Sequence, residues 1–488
     1  MMTSDTLAHS AAMVKALGRV LRAQVVETHI SWVLLGAETA YKIKKPVRLP
    51  FVDYSTAEAR RHFCEEEVRL NRRLAAPLYL GVSRITGTSR TPSLDGPGPT
   101  LDHAVRMKRF ADGALFCERL DAGLLEAAQV DALAQLLAGF HASAPMADAG
   151  NGLATPQRRK GSALAALEGA SAIATPHEHD ELGGWIETQS AALAPLWKAR
   201  RAAGFVRECH GDLHLGNILV HEGGVLAFDC IEFDAALRWI DVIDDIAFPV
   251  MDFASRGRAD FAWALLNGWL DRTGDHGSLA ALRFAAVYRA LVRSQVERLR
   301  GQGRAAQSRR YLEAALQWMM PAAPRLVITH GLPGSGKTFQ SQRMLETEGA
   351  VRLRSDVERK RLFGLSMLDD SRSRGMDLYT QEATALTYAH LFATARSILA
   401  AGFPVIIDAA FLRRSERGAA HALAQELGVP FAILDCDAPP EVLRERLLAR
   451  QGDASEAGVA VLERLRASAQ ALGAEERAHV RDKNMRDT

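Results

Sequence analysis

Gly331-Leu332-Pro333-Gly334-Ser335-Gly336-Lys337-Thr338 fits the spacing GxxxxGK[ST], and its flanks give that spacing meaning. Before it, Leu326–Thr329 is a short β-rich apolar run; after it, Phe339, Met344 and Leu345 continue a helix. A strand that turns through glycines into a helix aims backbone N–H groups and the positive helix end at one spot, which suits a polyphosphate. In such a loop Gly331, Gly334, Ser335 and Gly336 form the cradle. Lys337 reaches the outer phosphates, and the Thr338 hydroxyl binds Mg²⁺. A chance glycine-rich turn would not need both the strand and the helix.

Downstream, strands and helices alternate. Val351–Arg354 reads as a strand ending at Ser355-Asp356, Pro404–Asp408 as a buried strand with an acidic end, and Phe431–Asp435 as another. Such alternation predicts an α/β domain with a parallel sheet, whose strand C-termini open onto the nucleotide crevice. Asp408 then suits a Mg²⁺-organising role. On the helical stretch 441–450, Arg446 and Arg450 share a face, and the small polar run Gln451–Gly458 reads as part of a mobile lid spanning about 441–460. From Pro324 to Leu465 the sequence resembles the small P-loop kinases: polynucleotide 5′-kinases, gluconate kinases and zeta-type toxins. Asp356-Val-Glu-Arg359 matches the D-x-x-R that follows the second strand in the polynucleotide kinase and zeta toxin groups. The resemblance implies that Asp356 is the general base on the acceptor hydroxyl, that Arg359 binds the acceptor, and that Arg446 and Arg450 meet the transferring phosphoryl group. The competing readings are a helix N-cap for Asp356 and a solvated basic face for the arginines.

The second signature is His210-Gly-Asp212-Leu-His-Leu-Gly-Asn217-Ile-Leu219. It resembles the catalytic loop of aminoglycoside phosphotransferases and their choline and homoserine kinase relatives, which share a bilobal protein-kinase-like α+β fold. The five-residue step from Asp212 to Asn217 equals that of HRDxxxxN. The resemblance implies that Asp212 orients or deprotonates the acceptor hydroxyl, and that Asn217 and Asp229 hold Mg²⁺, with Glu232 assisting. Asp229 follows a hairpin over Ile218–His221 and Val225–Phe228. Three short antiparallel strands, Val25–Thr28, Trp32–Leu35 and Ala40–Lys44, should supply the phosphate-binding lysine. Ala40-Tyr-Lys42 matches the end of V-A-I-K, so Lys42 is the choice. Lys44, on the same face, is the rival, and Lys45 points away. Ser55-Thr-Ala-Glu58 reads as a capping box opening a helix. On that helix Glu67 lies nearest the middle of the inward face and is chosen as the partner of Lys42, with Glu66 second. The alternative is a solvated acidic triplet, Glu65–Glu67. No G-x-G-x-x-G precedes the lysine. Asp241, Asp244 and Asp245 read as braces of the catalytic loop, and Arg283, Arg289, Arg293 and Arg298 as solvated helix faces, with the lining of an acidic-substrate pocket as the alternative.

The chain has 488 residues, 48% hydrophobic and 24% charged, enough to bury a core in each of two large domains. Its 60 Lys and Arg against 58 Asp and Glu leave a net charge of +2, which argues against a dedicated nucleic-acid coat. Five scattered cysteines suit a reducing compartment and neither a disulfide framework nor a zinc site. No apolar run reaches membrane-spanning length and no secretory leader is evident, so a cytoplasmic protein without a membrane partner is expected. The seam Pro321-Ala-Ala-Pro324 separates a kinase-like domain, 1–320 (N-lobe about 20–110, helical C-lobe about 111–320), from a P-loop domain, 324–488, and each is expected to fold alone. Residues about 148–176 read as a surface insertion, and the charged tail after about Glu475 as frayed. From about 20 to 470 the chain resembles bacterial proteins described as bifunctional aminoglycoside phosphotransferase and ATP-binding proteins. A tandem of two ATP·Mg²⁺ phosphotransferases acting on hydroxyl acceptors is therefore expected, with the oligomeric state left open. A nucleic-acid end is an allowed acceptor but not a required one. The rivals are a kinase regulated by a nucleotide-sensing domain, a polynucleotide 5′-hydroxyl kinase, and a toxin-like kinase acting on a nucleotide sugar.

Overall fold

The computed structural model describes residues 4–49, 52–148, 150, 152–301, 303–450 and 452–481. The chain forms two compact units: residues 1–252 with 288–312, and residues 253–287 with 313–488.

In the first unit an antiparallel six-stranded sheet runs in the order Gln24–Glu27, Ser31–Leu35, Thr39–Lys44, Thr100–Lys108, Tyr79–Gly87, Pro92–Leu94. Side chains alternate across it. Ile43 and Ala104 pack with Met13, Val14 and Leu17 of the Ser4–Leu21 helix on one face, which sends Lys42 and Lys44 to the other. There Cys64 and Val68 of the Ala57–Ala75 helix pack with Tyr79, Val105 and Leu219. That helix is capped by Thr56, whose side chain accepts from Ala59 N–H at 3.1 Å; the expected cap was Ser55, one residue earlier. The region 148–176, expected to be a surface insertion, contains the helix Pro156–Ala170 with Thr155 as its N-cap. A Thr-Pro pair at a helix start is itself a sequence signal.

The second unit is built on a parallel sheet in the order Val351–Arg354, Val405–Asp408, Leu326–His330, Phe431–Asp435. Parallel pairing aligns the strand C-termini, so the residues that follow Leu326–His330, Val351–Arg354 and Val405–Asp408 gather at one edge. The charged tail is partly tied down: Val480 bridges Ile433, and Arg481 reaches Glu348 at 2.8 Å. Residues 482–488 lie outside the described residues.

The units do not divide at the Pro321–Pro324 seam. Residues 253–287, expected in the helical C-lobe, pack with the P-loop sheet. Trp263 of the Ala259–Thr273 helix packs on the cluster of Val327, Met344, Leu345 and Ile406. Val351–Arg354 is an edge strand, and Asn267 takes the place of a neighbour: its Nδ2 donates to Ala350 O at 2.9 Å and its Oδ1 accepts from Arg352 N–H at 2.7 Å. The physical cause of the shifted boundary is thus an exposed sheet edge that needs a partner. Among the described residues no helix is long and apolar enough to cross a membrane.

Candidate active sites

In the first unit the catalytic-loop signature forms a turn, Leu215–Asn217, followed by the hairpin Ile218–His221 and Gly224–Ala227. The loop is held from beneath. Asp245 accepts from the backbone N–H of His210 at 3.1 Å and of Gly211 at 2.9 Å, and pairs with His141 at 3.1 Å. These contacts hold its carboxyl below the ordinary range against the opposing effect of burial. Asp252 accepts from Leu215 N–H at 2.9 Å and from the Tyr311 hydroxyl at 2.8 Å. His210 Nδ1 accepts from Asp212 N–H at 3.2 Å and Nε2–H donates to Phe228 O at 2.9 Å, the pattern of the neutral ring, and burial lowers its pKa. Asp244 pairs with Arg159 at 2.6 Å and Asp241 with Arg200 at 2.7 Å, so the acidic stretch is structural.

This scaffold brings Asp212, Asn217, Asp229, Lys42 and Glu67 together. Asn217 Nδ2 donates to the Asp212 backbone O at 2.9 Å and to Oδ2 at 3.3 Å. Lys42 Nζ lies 2.9 Å from Glu67 Oε1 and 2.5 Å from Asp229 Oδ1. Burial alone would lower the Lys42 pKa, but the two carboxylates hold it above its ordinary value. Asp229 has φ +64°, a left-handed conformation that Asp tolerates better than most residues. Its turn is pinned by Tyr79, whose hydroxyl accepts from Asp229 N–H at 3.2 Å, and by Asn71, which accepts from Cys230 N–H at 2.8 Å. Glu66, the second choice, pairs instead with Arg69 at 2.7 Å and Arg238 at 3.1 Å. Lys44 has its own partners, Glu67 Oε2 at 2.7 Å and Glu232. Asp212, Asn217 and Asp229 carry oxygen donors of the kind that suit a hard divalent cation.

In the second unit, Gly331, Gly334 and Gly336 take φ of +142°, +86° and +91°. A Cβ on Gly331 would stand 2.1 Å from Cys436 O, and one on Gly334 2.8 Å from Leu443 O, so only glycine fits this cradle. Ser335 Oγ is buried without a hydrogen-bond partner. Lys337 Nζ donates to Leu332 O at 2.9 Å, and burial lowers its pKa. Glycines, an orphaned hydroxyl and a cation in need of an anion fit a phosphate chain. The loop opens onto a cavity of about 960 Å³ whose walls include Lys337, Thr338, Asp356, Arg359, Asp408, Arg446 and Arg450. Asp408 Oδ2 accepts from Ser341 Oγ at 3.2 Å; with the Thr338 hydroxyl on the same wall, this oxygen set could hold Mg²⁺. Arg446 Nη1 donates to Gly334 O at 3.1 Å. Arg450 follows the last residue of the Pro440–Ala449 helix and lies 3.7 Å from Asp453, which also binds Arg354 at 2.5 Å.

Asp356 is not a helix N-cap. The Ser355–Leu362 helix is capped by Arg354, and Asp356 sits inside its first turn. Its carboxylate accepts from Arg359 at 2.8 Å and from the Tyr379 hydroxyl at 3.3 Å.

Two family models match the sequence. The phosphotransferase enzyme family covers residues 57–283, and an AAA domain covers residues 326–472. Uncharacterized proteins of Mycobacterium tuberculosis and Mycobacterium bovis are each 31% identical over 442 residues, 89% of this chain and 87% of the relative. The chain belongs to their family. With both domains it is a kinase. The phosphotransferase match begins at Ala57 and does not include Lys42. Among solved structures, amicoumacin kinase hAmiN in complex with AMP-PNP, Ca2+ and Ami is similar at 14% identity, covering 65% of this chain and 96% of that one, with a TM-score of 0.38. A gluconokinase from Sinorhizobium meliloti 1021 is similar at 19% identity, covering 33% of this chain and 81% of that one, with a TM-score of 0.25.

Several residues of this kinase escaped the sequence reading. Arg289 and Arg293, expected on solvated faces, are buried. Arg289 donates to Asp244 O at 3.1 Å and Gly211 O at 3.0 Å. Burial raises the pKa of Asp212, and Arg293, His210 and Arg289 oppose that rise. Helical periodicity marks a face but cannot say whether solvent or a catalytic loop covers it. Tyr54, Tyr79, Ser341 and Tyr379 carry no motif of their own. Their roles come from long-range approach.

Proposed function

We propose that the chain is a tandem of two ATP·Mg²⁺ phosphotransferase modules, each moving the γ-phosphoryl group of ATP to an acceptor hydroxyl. The observation that carries the reading is double: Lys42, Glu67, Asp212, Asn217 and Asp229 converge in one unit, and Lys337, Thr338, Asp356 and Asp408 line one cavity in the other. In the first site Asp212 takes or orients the acceptor proton, Lys42 binds phosphate, and Asn217 and Asp229 hold Mg²⁺. Glu67 holds Lys42. In the second, the Gly331–Thr338 loop carries phosphate, Thr338 and Asp408 hold Mg²⁺, Asp356 is the base and Arg359 binds the acceptor. Arg446 and Arg450 offset charge on the transferring group. Bound Mg²⁺ would supply charge neutralisation across the phosphates. Buried Arg289 and Arg293 beside Asp212 disfavour a polycationic acceptor there. None of the five cysteines is in a disulfide, which fits a cytoplasmic setting.

The test is transfer of label from γ-labelled ATP to panels of sugars, aminoglycosides and oligonucleotides, with Asp212→Ala and Lys337→Ala in parallel. Two acceptors, one lost with each variant, support the tandem. If every transfer disappears with Lys337→Ala alone and none responds to Asp212→Ala, the first unit is no kinase and the tandem reading falls.

A further inference from the structure

The first site holds a second ion pair that nucleotide and metal binding do not explain. Glu67 is wholly buried and divides its carboxylate between two lysines of one strand: Oε1 accepts from Lys42 at 2.9 Å, Oε2 from Lys44 at 2.7 Å. Lys44, 1% exposed, also contacts Glu232, 4% exposed, which accepts the Tyr54 hydroxyl at 2.5 Å. Lys44 is therefore enclosed by its own partners and is not the group that meets phosphate. The turn from Asp229 to Glu232 is anchored at both ends on this strand, Asp229 on Lys42 and Glu232 on Lys44.

We propose that Lys44 and Glu232, secured by Tyr54, are positioning residues of the first site. They fix Glu67 and the Asp229–Glu232 turn, so that Lys42 and Asp229 present their charges in one geometry. This rests on the reading of Lys42 and Asp229 as ATP·Mg²⁺ residues. A carboxylate held at one oxygen can swing, whereas one held at both has a single rotamer. Removing one member of a buried pair leaves its partner's charge uncompensated. With Glu232 neutral, Lys44 turns wholly to Glu67 and competes with Lys42 for it.

The experiment uses the full chain carrying Lys337→Ala, so that the second site does not mask the first. AMP-PNP affinity is measured by calorimetry with and without Mg²⁺, and melting temperature alongside. Lys44→Met and Glu232→Gln should each weaken Mg²⁺-dependent affinity by about 10- to 100-fold, the usual effect of losing a supporting partner. The double variant, which restores charge balance, should be no weaker than the worse single one, and Lys44→Arg should recover most of the affinity. A purely structural role would lower the melting temperature and leave the affinity of the folded protein unmoved. That result, or losses that add in the double variant, overturns the proposal. Should Lys44→Met fail to fold, Glu232→Gln and the double variant decide by the same criteria. Lys42→Met is the control. If it too binds as the parent does, the reading of the site fails; if it alone loses binding, only the positioning role fails.

Discussion

Lys337 and Asp356 share a cavity wall yet meet different reactants in the proposed chemistry, so their substitutions should separate. In that chemistry Lys337 would stand where phosphate charge concentrates, and one such electrostatic contact is worth about 2.7–4 kcal/mol. Lys337→Ala should slow transfer at the second site by about a hundredfold or more and weaken ATP binding. Asp356→Ala should slow transfer comparably but leave ATP affinity near the parent value in a calorimetric titration. Equal losses of ATP affinity would make Asp356 a nucleotide-site or folding residue and bring a sensor reading of this unit forward. At the first site Asp229→Asn should abolish the Mg²⁺-dependence of nucleotide binding, while Asp212→Asn should spare binding and stop transfer. At this scale the sequence marked candidates where chemistry has a spacing: the glycine loop, Asp212 with Asn217, and Lys42 by the Ala-x-Lys match, whereas strand alternation put Lys44 on the same face. It did not show that Tyr379 reaches Asp356 across 23 residues, nor that Glu232, expected to assist the metal, pairs with Lys44, 188 residues away.

The Ser355–Leu362 helix, which carries Asp356 and Arg359 on one side, is anchored on the other by Glu358. That carboxylate contacts Arg361 and His390 of the Gln381–Ala400 helix, the latter at 2.9 Å. Burial alone would raise its pKa, but His390, His276 and Arg361 bring it down to about 2, against an ordinary 4.5. A carboxyl whose pKa is depressed on folding stabilises the fold above its unfolded value, and that contribution vanishes as pH falls through the folded value. The stabilisation is thus complete above about pH 4.5 and lost between there and pH 2, amounting to about 3 kcal/mol at 1.36 kcal/mol per unit. Urea unfolding of the full chain at pH 7 and pH 3 should show a smaller drop for Glu358→Gln than for the parent; an unchanged drop would contradict the assignment. The helix itself was readable from sequence, but its cap was not. Arg354 caps it without a side-chain bond, and at Ser55-Thr56 two adjacent hydroxyl residues could both serve. Neighbouring geometry, not composition, chose between them.

The largest departure from the sequence reading is the course of the chain between units. A proline-bounded seam at 321–324 is a local signal, and it marks a real break between helix and strand. It carries no information about which sheet the Ala259–Thr273 helix covers, because an apolar helix face suits a C-lobe and a P-loop sheet alike. The deciding feature is the open edge at Val351–Arg354, where Asn267 satisfies Ala350 O and Arg352 N–H and Trp263 closes the core beside Gly349. Each orphaned buried backbone group costs roughly 1–3 kcal/mol, and loss of the Trp263 contacts adds to that. We therefore expect a fragment of residues 324–488 to be insoluble or to melt without cooperativity, and a fragment of residues 253–488 in which a short polar linker replaces residues 288–312, which belong to the first unit, to be soluble, to melt cooperatively and to bind ATP·Mg²⁺. Asn267→Leu in the full chain should lower the melting temperature of the transition that AMP-PNP stabilises through Lys337. If the 324–488 fragment folds and binds nucleotide as well as the 253–488 fragment does, the helix is dispensable to the P-loop unit and the seam alone marks the domain.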